Sequence, residues 1–393
     1  MTAINTLTPA STAELFAPLT IRGVTLRNRI GVSPMCQYAC EDGFATDWHL
    51  VHLGSRAVGG AGLVMVEATG VEHRGMISPF DMGIYKDEHI EPLARIAAFI
   101  KQQGAVAGIQ LAHAGRKGSS RRPWEGGAAI PRAEGGWQTV APSPVPFRRE
   151  DPPPAELSRA QIREIVEAFA AAVRRAHRAG FQVVEIHSAH GYLLHQFLSP
   201  LSNFRSDEYG GAFENRIRMV LEVATAVRAA WPENSPLFFR ISCTDWMEGG
   251  WTVEDSVELA RRLKPLGVDL IDCSSGGAAL QAQIPLAPGY QVPFARRIRG
   301  EAKLYTAAVG MITTPQQTSE VIASESADLV LLAREHLRDP YFTLHAGQAL
   351  GAAIQPPVRY GRGFAKLSPP ICLPRSAARA GAVISRSDAP VAR

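Results

Sequence analysis

The chain reads as an α/β protein of the (β/α)8, or TIM, barrel type, and three observations predict it. Short apolar, β-branched runs recur eight times along the 393 residues. Each run is followed by a stretch of helical periodicity. The length suits one large barrel, and alternation carried through eight rounds favours closure over an open doubly wound sheet.

The predicted strands occupy 30–33, 62–67, 106–111, 183–186, 237–241, 269–273, 304–309 and 328–332. The 3.6-residue pattern predicts helices near 47–59, 88–103, 158–179, 214–230, 252–265, 292–299, 314–323 and 339–350. Ser158 offers a cap and Gly180 a stop to the third of these, and Thr252 with Asp255 opens the fifth. Two stretches break the repeat. Residues 112–157, rich in Gly, Pro, Arg and Trp, are too long for a plain connection and read as a functional loop inserted after the third strand. Residues 276–292 form a shorter segment of the same kind. The resulting division is an N-terminal extension (1–14), a single barrel domain (15–364) and a tail (365–393). Residues 375–393 carry four arginines without periodicity, so the tail is expected to be disordered.

Composition excludes several classes. The hydrophobic fraction is 46% and the charged fraction 20%, ordinary for a globular enzyme with a substantial core. A net charge of +4 with interleaved signs gives no footing for nucleic acid or a membrane surface. The five cysteines, Cys36, Cys40, Cys243, Cys273 and Cys372, form no C-x-x-C pair, which argues against disulfide, zinc-ribbon and iron–sulfur frameworks. A cytoplasmic setting is the expectation, since the first fourteen residues resemble no signal peptide and no apolar run reaches the length of a membrane span.

Chemistry in a barrel gathers at the C-terminal ends of the strands. Here those ends present Ser33-Pro34-Met35-Cys36-Gln37-Tyr38, then Ala68, then Gln110 with His113 and Lys117 beyond it. The fourth end delivers His187, His190 and Tyr192. The fifth presents Arg240, the sixth Ser274 and Ser275, the seventh Gly310 and the eighth Ala333-Arg334. Two imidazoles and a phenol can grip a small oxyanion and hand over a proton; with His195 they can equally be half of a metal site. No His-x-His follows the first strand and no strand-end acidic cluster completes a ligand set, so no metal is expected. Backbone N–H groups after Gly310, together with Arg334, form an anion cradle where barrels commonly bind phosphate.

Taken together, these motifs resemble the old yellow enzyme family of FMN-dependent ene-reductases, in its bacterial, thermophilic-like class. The matching segments are 33–38, 110–117, 187–192, 194–211, 308–310 and 334–340, and the likeness runs from about 15 to 364. The resemblance implies tightly bound, non-covalent FMN. Ser33, Pro34, Met35 and Cys36 would line the flavin, with the Cys36 thiol tuning its potential and Ala68 offering backbone contacts. Gln110 would meet the pyrimidine edge with both a donor and an acceptor, and Arg240 would stand beside N1 and O2. Gly310, Ala333 and Arg334 would hold the phosphate, helped by Ser275.

The resemblance further implies an NADPH:alkene oxidoreductase working by a ping-pong cycle. His187 and His190 would bind the carbonyl oxygen of an activated alkene, and Tyr192 would protonate the α-carbon opposite the incoming hydride. Tyr38 and Lys117 would complete the substrate pocket. Segment 356–364 would reach into a partner's site, with Arg362 as a finger and Phe364 beside it, in a homodimer or dimer of dimers. The sequence has no G-x-G-x-x-G motif, which fits a nicotinamide that visits the flavin. Two positions depart from the pattern: Ala333 replaces a common Gly, which requires a negative φ there, and Phe364 replaces a common Trp. The competing readings are a metal-dependent barrel hydrolase or lyase, a non-catalytic flavin-binding barrel, and a larger dienoyl-CoA reductase-type flavoenzyme, whose iron–sulfur motif this sequence lacks.

Overall fold

The apolar runs form parallel strands that close on themselves in the computed structural model, which describes residues 9–364. In chain order the staves are β1 (Ile30–Val32), β2 (Leu63–Gly70), β3 (Val106–Ala112), β4 (Val183–Ser188), β5 (Leu237–Ser242), β6 (Leu270–Ser274), β7 (Tyr305–Ala308) and β8 (Leu329–Leu332). Closure is made by β8 against β1, with Val330 opposite Ile30 and Leu332 opposite Val32. Eight helices follow the predicted positions: α1 (Asp47–Val58), α2 (Ile90–Gln102), α3 (Arg159–Arg178), α4 (Arg218–Ala230), α5 (Val253–Leu263), α6 (Val292–Ala302), α7 (Pro315–Ala323) and α8 (Phe342–Ala349). The predicted caps form, with Ser158 Oγ accepting from the Gln161 amide and Thr252 Oγ1 from the Asp255 amide.

Four details differ from the pattern. The predicted helix at 214–230 is two pieces, Phe213–Arg216 and α4, and the eighth connection gains a short helix, Arg334–Arg338. The insertion after β3 carries only single turns and a small parallel pair, Val140–Ala141 with Ala155–Glu156. A helix at Pro9–Phe16 crosses the expected boundary at residue 14. Residues 1–8 and the tail 365–393, with Cys372, lie outside the described residues.

Two apolar layers hold the barrel. The larger lies between staves and helices. The second fills the barrel interior at its N-terminal end, where Leu19, Ile21, Val24 and Leu26 of a hairpin (Leu19–Ile21 with Val24–Leu26) plug against Leu63, Met65, Phe238 and Leu270. That plug seals one mouth with hydrocarbon and leaves the other for polar groups. In β2 the register shifts between Val66 and Ala68, so Glu67 is an extra residue without a partner in the β3 ladder. Ala68 thereby pairs with Gln110 and shares a small pocket with Ala112 and Tyr192. No helix among the described residues is long and apolar enough to cross a membrane.

Phe238 is fully buried in the plug, so Phe238→Ala is expected to destabilise the fold by about 3–5 kcal/mol. The midpoint of chemical denaturation, compared at equal slope, measures this.

Candidate active site

The segment after β4 turns sharply because His190 and Gly191 both adopt positive φ, 57° and 72°. That turn brings three rings together. The His187 ring stands edge-on to His190 and to Tyr192, with centroids 5.0 Å away in each case. His190 Nδ1 lies 3.3 Å from His187 Nε2. The Ala189 amide donates to His187 Nδ1 at 3.3 Å, which places the proton of the neutral ring on Nε2. His190 Nε2 lies 2.6 Å from Ser274 Oγ on β6. The His187 Nε2–H donates to His190 Nδ1, which puts the His190 proton on Nε2 toward Ser274. Because the Ser274 hydroxyl can also donate, a ligand oxygen that takes the His187 proton lets the His190 proton sit on Nδ1, and two N–H groups then point at that oxygen.

Neighbouring elements fix this turn. The His190 amide donates to Ser242 Oγ at 2.9 Å, and the Gly191 amide donates to His195 Nδ1 at 2.8 Å. His195 Nε2 faces Asp245 Oδ1 at 2.9 Å, both fully buried. His195 is therefore directed away from the other two imidazoles and braces the loop rather than joining a ligand set. A Cβ on Gly191 would lie 2.1 Å from Gly277 O, so only glycine lets the β4 and β6 loops touch. Lys117 spans that contact, donating to His190 O at 2.8 Å and Gly277 O at 3.3 Å. Its ammonium also lies 5.0 Å from the Tyr192 ring centre and 4.3 Å from that of Phe147.

Burial sets the protonation of these groups. It drives His187 and His190 well below the usual imidazole range, reinforced by the positive charge of Arg240. It drives Tyr192 well above the usual phenol range, and the nearby Cys36 and Tyr38 add to the push. Tyr38 and Cys36 are raised in the same way. Lys117 is lowered to about 7 by burial and then by Arg116 and Arg148. The mouth thus holds uncharged imidazoles and phenols beside a buried guanidinium.

That cation is Arg240, which donates to Ser33 Oγ at 3.0 Å and pairs with Asp272 Oδ2 at 3.2 Å. Gln110 Nε2 donates to Glu185 Oε1 at 2.7 Å. Beside this layer a cavity of about 340 Å³ is lined by Arg240, Ser274, Gln291, Gly310, Ala333 and Arg334, among others. Gly310 has φ 115°, and a Cβ there would come within 2.6 Å of Gln291 Nε2. Ala333 has φ −102°, the negative value that its methyl group requires.

The chain matches the NADH:flavin oxidoreductase / NADH oxidase family over residues 14–352. It belongs to this family, the old yellow enzymes. The NADPH dehydrogenase of Geobacillus sp. (strain WCH70) is 50% identical over 352 residues, covering 89% of this chain and 98% of that protein. The old yellow enzyme homologue of Zymomonas mobilis superimposes with a TM-score of 0.70 at 25% identity, over 88% of this chain and 95% of the other. A 2-naphthoyl-CoA reductase gives a TM-score of 0.78 at 25% identity, but this chain, 87% of it matched, spans only 53% of that one. The protein is accordingly an FMN-dependent NADPH dehydrogenase of the old yellow enzyme family.

The old yellow enzyme site fits FMN on grounds visible in the residues. The space that a Cβ at Gly310 would fill, with Arg334 and the neighbouring backbone, is a cradle for a phosphate. Gln110 and Arg240 stand on the barrel's inner face, where an amide and a cation suit a pyrimidine edge. Ser275 is placed differently from expectation: its hydroxyl donates to Gln291 Oε1 at 2.6 Å, and Gln291 Nε2 donates to Val309 O at 3.0 Å. Ser275 thus orients Gln291, which lines the cavity. Pro34, Met35 and Cys36 follow β1 in a half-buried loop, and Tyr38 meets Trp124 of the insertion edge-on at 5.6 Å. Arg362 lies exposed and Phe364 half-buried in the C-terminal segment, and no hydrogen bond or ion pair ties either to this mouth.

One buried trio elsewhere has metal-like spacing. The ligand atoms of Cys40, His49 and Glu67 lie within 4.8 Å of one another. The Thr46 amide donates to His49 Nδ1 at 3.0 Å, however, so the neutral ring carries its proton on Nε2, the nitrogen turned toward the other two. That proton leaves no lone pair for an ion. The trio instead supports the loop after β1, because Glu67 Oε1 accepts from the Gln37 amide at 3.1 Å.

Sequence reasoning assigned no role to Ser242, Gln291, Glu185 or Asp272, and singled out Ser274 only by position. Glu185 and Asp272 did leave a signal, each being an acid inside an otherwise apolar strand. Ser274→Ala removes the hydroxyl that, by donating to His190 Nε2, lets His190 present its proton on Nδ1 to a ligand oxygen. It is expected to weaken binding of a para-substituted phenol about tenfold, equivalent to roughly 1–1.5 kcal/mol for one buried hydrogen bond. Titration of the phenol against the flavin spectrum checks it, and an unchanged affinity would contradict this placement of the proton.

Proposed function

We propose that this NADPH dehydrogenase is an ene-reductase that reduces the C=C bond of α,β-unsaturated carbonyl compounds, maleimides or nitroalkenes. The observation that carries this reading is the His187–His190 pair, two neutral imidazoles whose facing nitrogens lie 3.3 Å apart beside the Tyr192 phenol. FMN, when bound, accepts hydride from NADPH and passes it to the alkene.

The protein's own residues then have distinct tasks. His187 Nε2–H and His190 Nδ1–H bind the carbonyl or nitro oxygen and polarise the conjugated system, and their bonds strengthen as charge develops on that oxygen. Tyr192 keeps its proton until a carbanion-like centre forms, because burial makes ionisation to solvent costly. Tyr38 and Trp124 wall the entrance from the insertion side. Lys117 holds the turn that aims His190, and its charge above the Tyr192 ring favours the phenolate left after proton donation. Ser33, Pro34, Met35, Cys36, Ala68, Gln110 and Arg240 would hold the isoalloxazine, and Gly310, Ala333 and Arg334 the phosphate.

The reading extends to an assembly. Val358 and Tyr360 expose apolar surface next to Arg362, which supports a homodimer or dimer of dimers in which Arg362 and Phe364 enter a partner's site. A cytoplasmic location accompanies this proposal.

Tyr192→Phe is expected to slow alkene reduction by about 10²- to 10⁴-fold, the usual worth of a positioned acid, while flavin reduction by NADPH changes little. Stopped-flow measurement of the two half-reactions separates them, and equal slowing of both would remove Tyr192 as the donor. Truncation after Pro357 tests the finger: a loss of turnover that returns when the truncated chain is mixed with a His187→Ala chain supports action across an interface. Unchanged turnover rejects it.

A further inference from the structure

Behind the side chains that face the flavin lies buried charge that the steps above do not use. Glu185 on β4 and Asp272 on β6 are both fully buried, each interrupting an apolar strand. Gln110 leans on Glu185 through its 2.7 Å hydrogen bond, and Arg240 leans on Asp272 through its 3.2 Å ion pair. One guanidinium therefore serves two acids. Among the described residues no hydrogen bond reaches Glu185 Oε2 or either oxygen of Asp272.

Ionising both acids here would leave one buried negative charge uncompensated, which is expensive without water. The pair is better served by keeping one proton. Asp272 has the cation, whereas Glu185 accepts only from a neutral amide, so Glu185 is the holder. The charged groups that face it are Asp272 from β6 and Arg240 from β5, with the Gln110 amide from β3. Burial and then Asp272 raise Glu185 to about 8, against the pull of Arg240. Burial raises Asp272 as well, and Arg240 eases it.

We propose that Glu185 is a redox-linked proton store beneath the flavin, binding its proton more tightly whenever negative charge accumulates above Gln110 and Arg240. The inference rests on reading those two residues as flavin contacts. Hydride transfer from NADPH brings two electrons and one proton to the cofactor and adds one negative charge to the site. Where Glu185 is ionised beforehand, that charge draws one proton from solvent onto its carboxylate, forming an O–H bond. When hydride leaves for the alkene, the O–H bond breaks and the proton returns to solvent.

The test is the midpoint potential of the FMN-loaded enzyme, measured spectroelectrochemically from neutral to mildly alkaline pH. The expected pH slope corresponds to one proton per two electrons below the Glu185 transition and approaches two above it. Glu185→Gln should show one throughout while still binding FMN. A wild-type slope of one at every pH overturns the proposal, as does a Glu185→Gln enzyme that keeps the second proton. Should Glu185→Gln fail to fold, Asp272→Asn serves: loss of the neighbouring anion must move the break to lower pH, and an unmoved break overturns the assignment. Failure of the wild-type protein to take up FMN would instead refute the flavin contacts themselves.

Discussion

Exclusion of water from the open end of the barrel governs the rest of the site. The histidines His187 and His190 are pushed downward there, and Tyr192, Cys36 and Glu185 upward, each toward its uncharged form. Arg240 stands among them, paired with Asp272. A site of neutral donors beside positively charged side chains suits a ligand that becomes negative during the reaction. The hairpin plug makes this possible by spending hydrocarbon on the other end, so that polar residues in the upper layer need not also close the barrel.

Neutral protonation gives the histidines their use. An imidazolium pair 3.3 Å apart would repel, and two acceptor nitrogens would hold nothing. The arrangement works only if each ring has one proton and both protons face the same point. The amide of Ala189, from β4's own loop, holds the His187 proton on Nε2, and the hydroxyl of Ser274, from β6, can donate or accept and so lets His190 turn its proton to Nδ1 when a ligand oxygen lies between the rings. The Gly191–Gly277 contact and the Lys117 bridge keep those two loops at the separation that the Ser274 bond needs.

Much of this was legible in the sequence, for identifiable reasons. Strand positions followed from period and apolar runs, and the barrel rule then singled out strand ends, so His187, His190, Tyr192, Arg240 and Arg334 could be named in advance. The family resemblance gave Gln110 and Cys36 their expected roles. What could not be read was any relation set by register between strands distant in sequence. Ser274 meets His190 across 84 positions, and Gln110 meets Glu185 across 75. The Ser275–Gln291 bond was unreadable for the same cause, since Gln291 comes from the far end of the loop after β6. Proton positions are equally invisible to sequence, because they depend on which nitrogen meets an amide.

On the ene-reductase reading proposed above, the same neutral clamp would let one pocket serve two ligands in turn. A nicotinamide presents a carboxamide oxygen and an activated alkene presents a carbonyl or nitro oxygen, and either is a suitable acceptor for two adjacent N–H donors. Neither requires a dedicated nucleotide fold, in keeping with a sequence that has no G-x-G-x-x-G motif. The two ligands diverge once they are bound. The nicotinamide gives up hydride and needs no acid, whereas the alkene gains hydride and must be protonated. Tyr192, held edge-on to His187 and buried, would on that reading be silent in the first case and reactive in the second. Discrimination between the half-reactions thus lies in when a base appears beside the phenol, and the protein needs no movement to provide it.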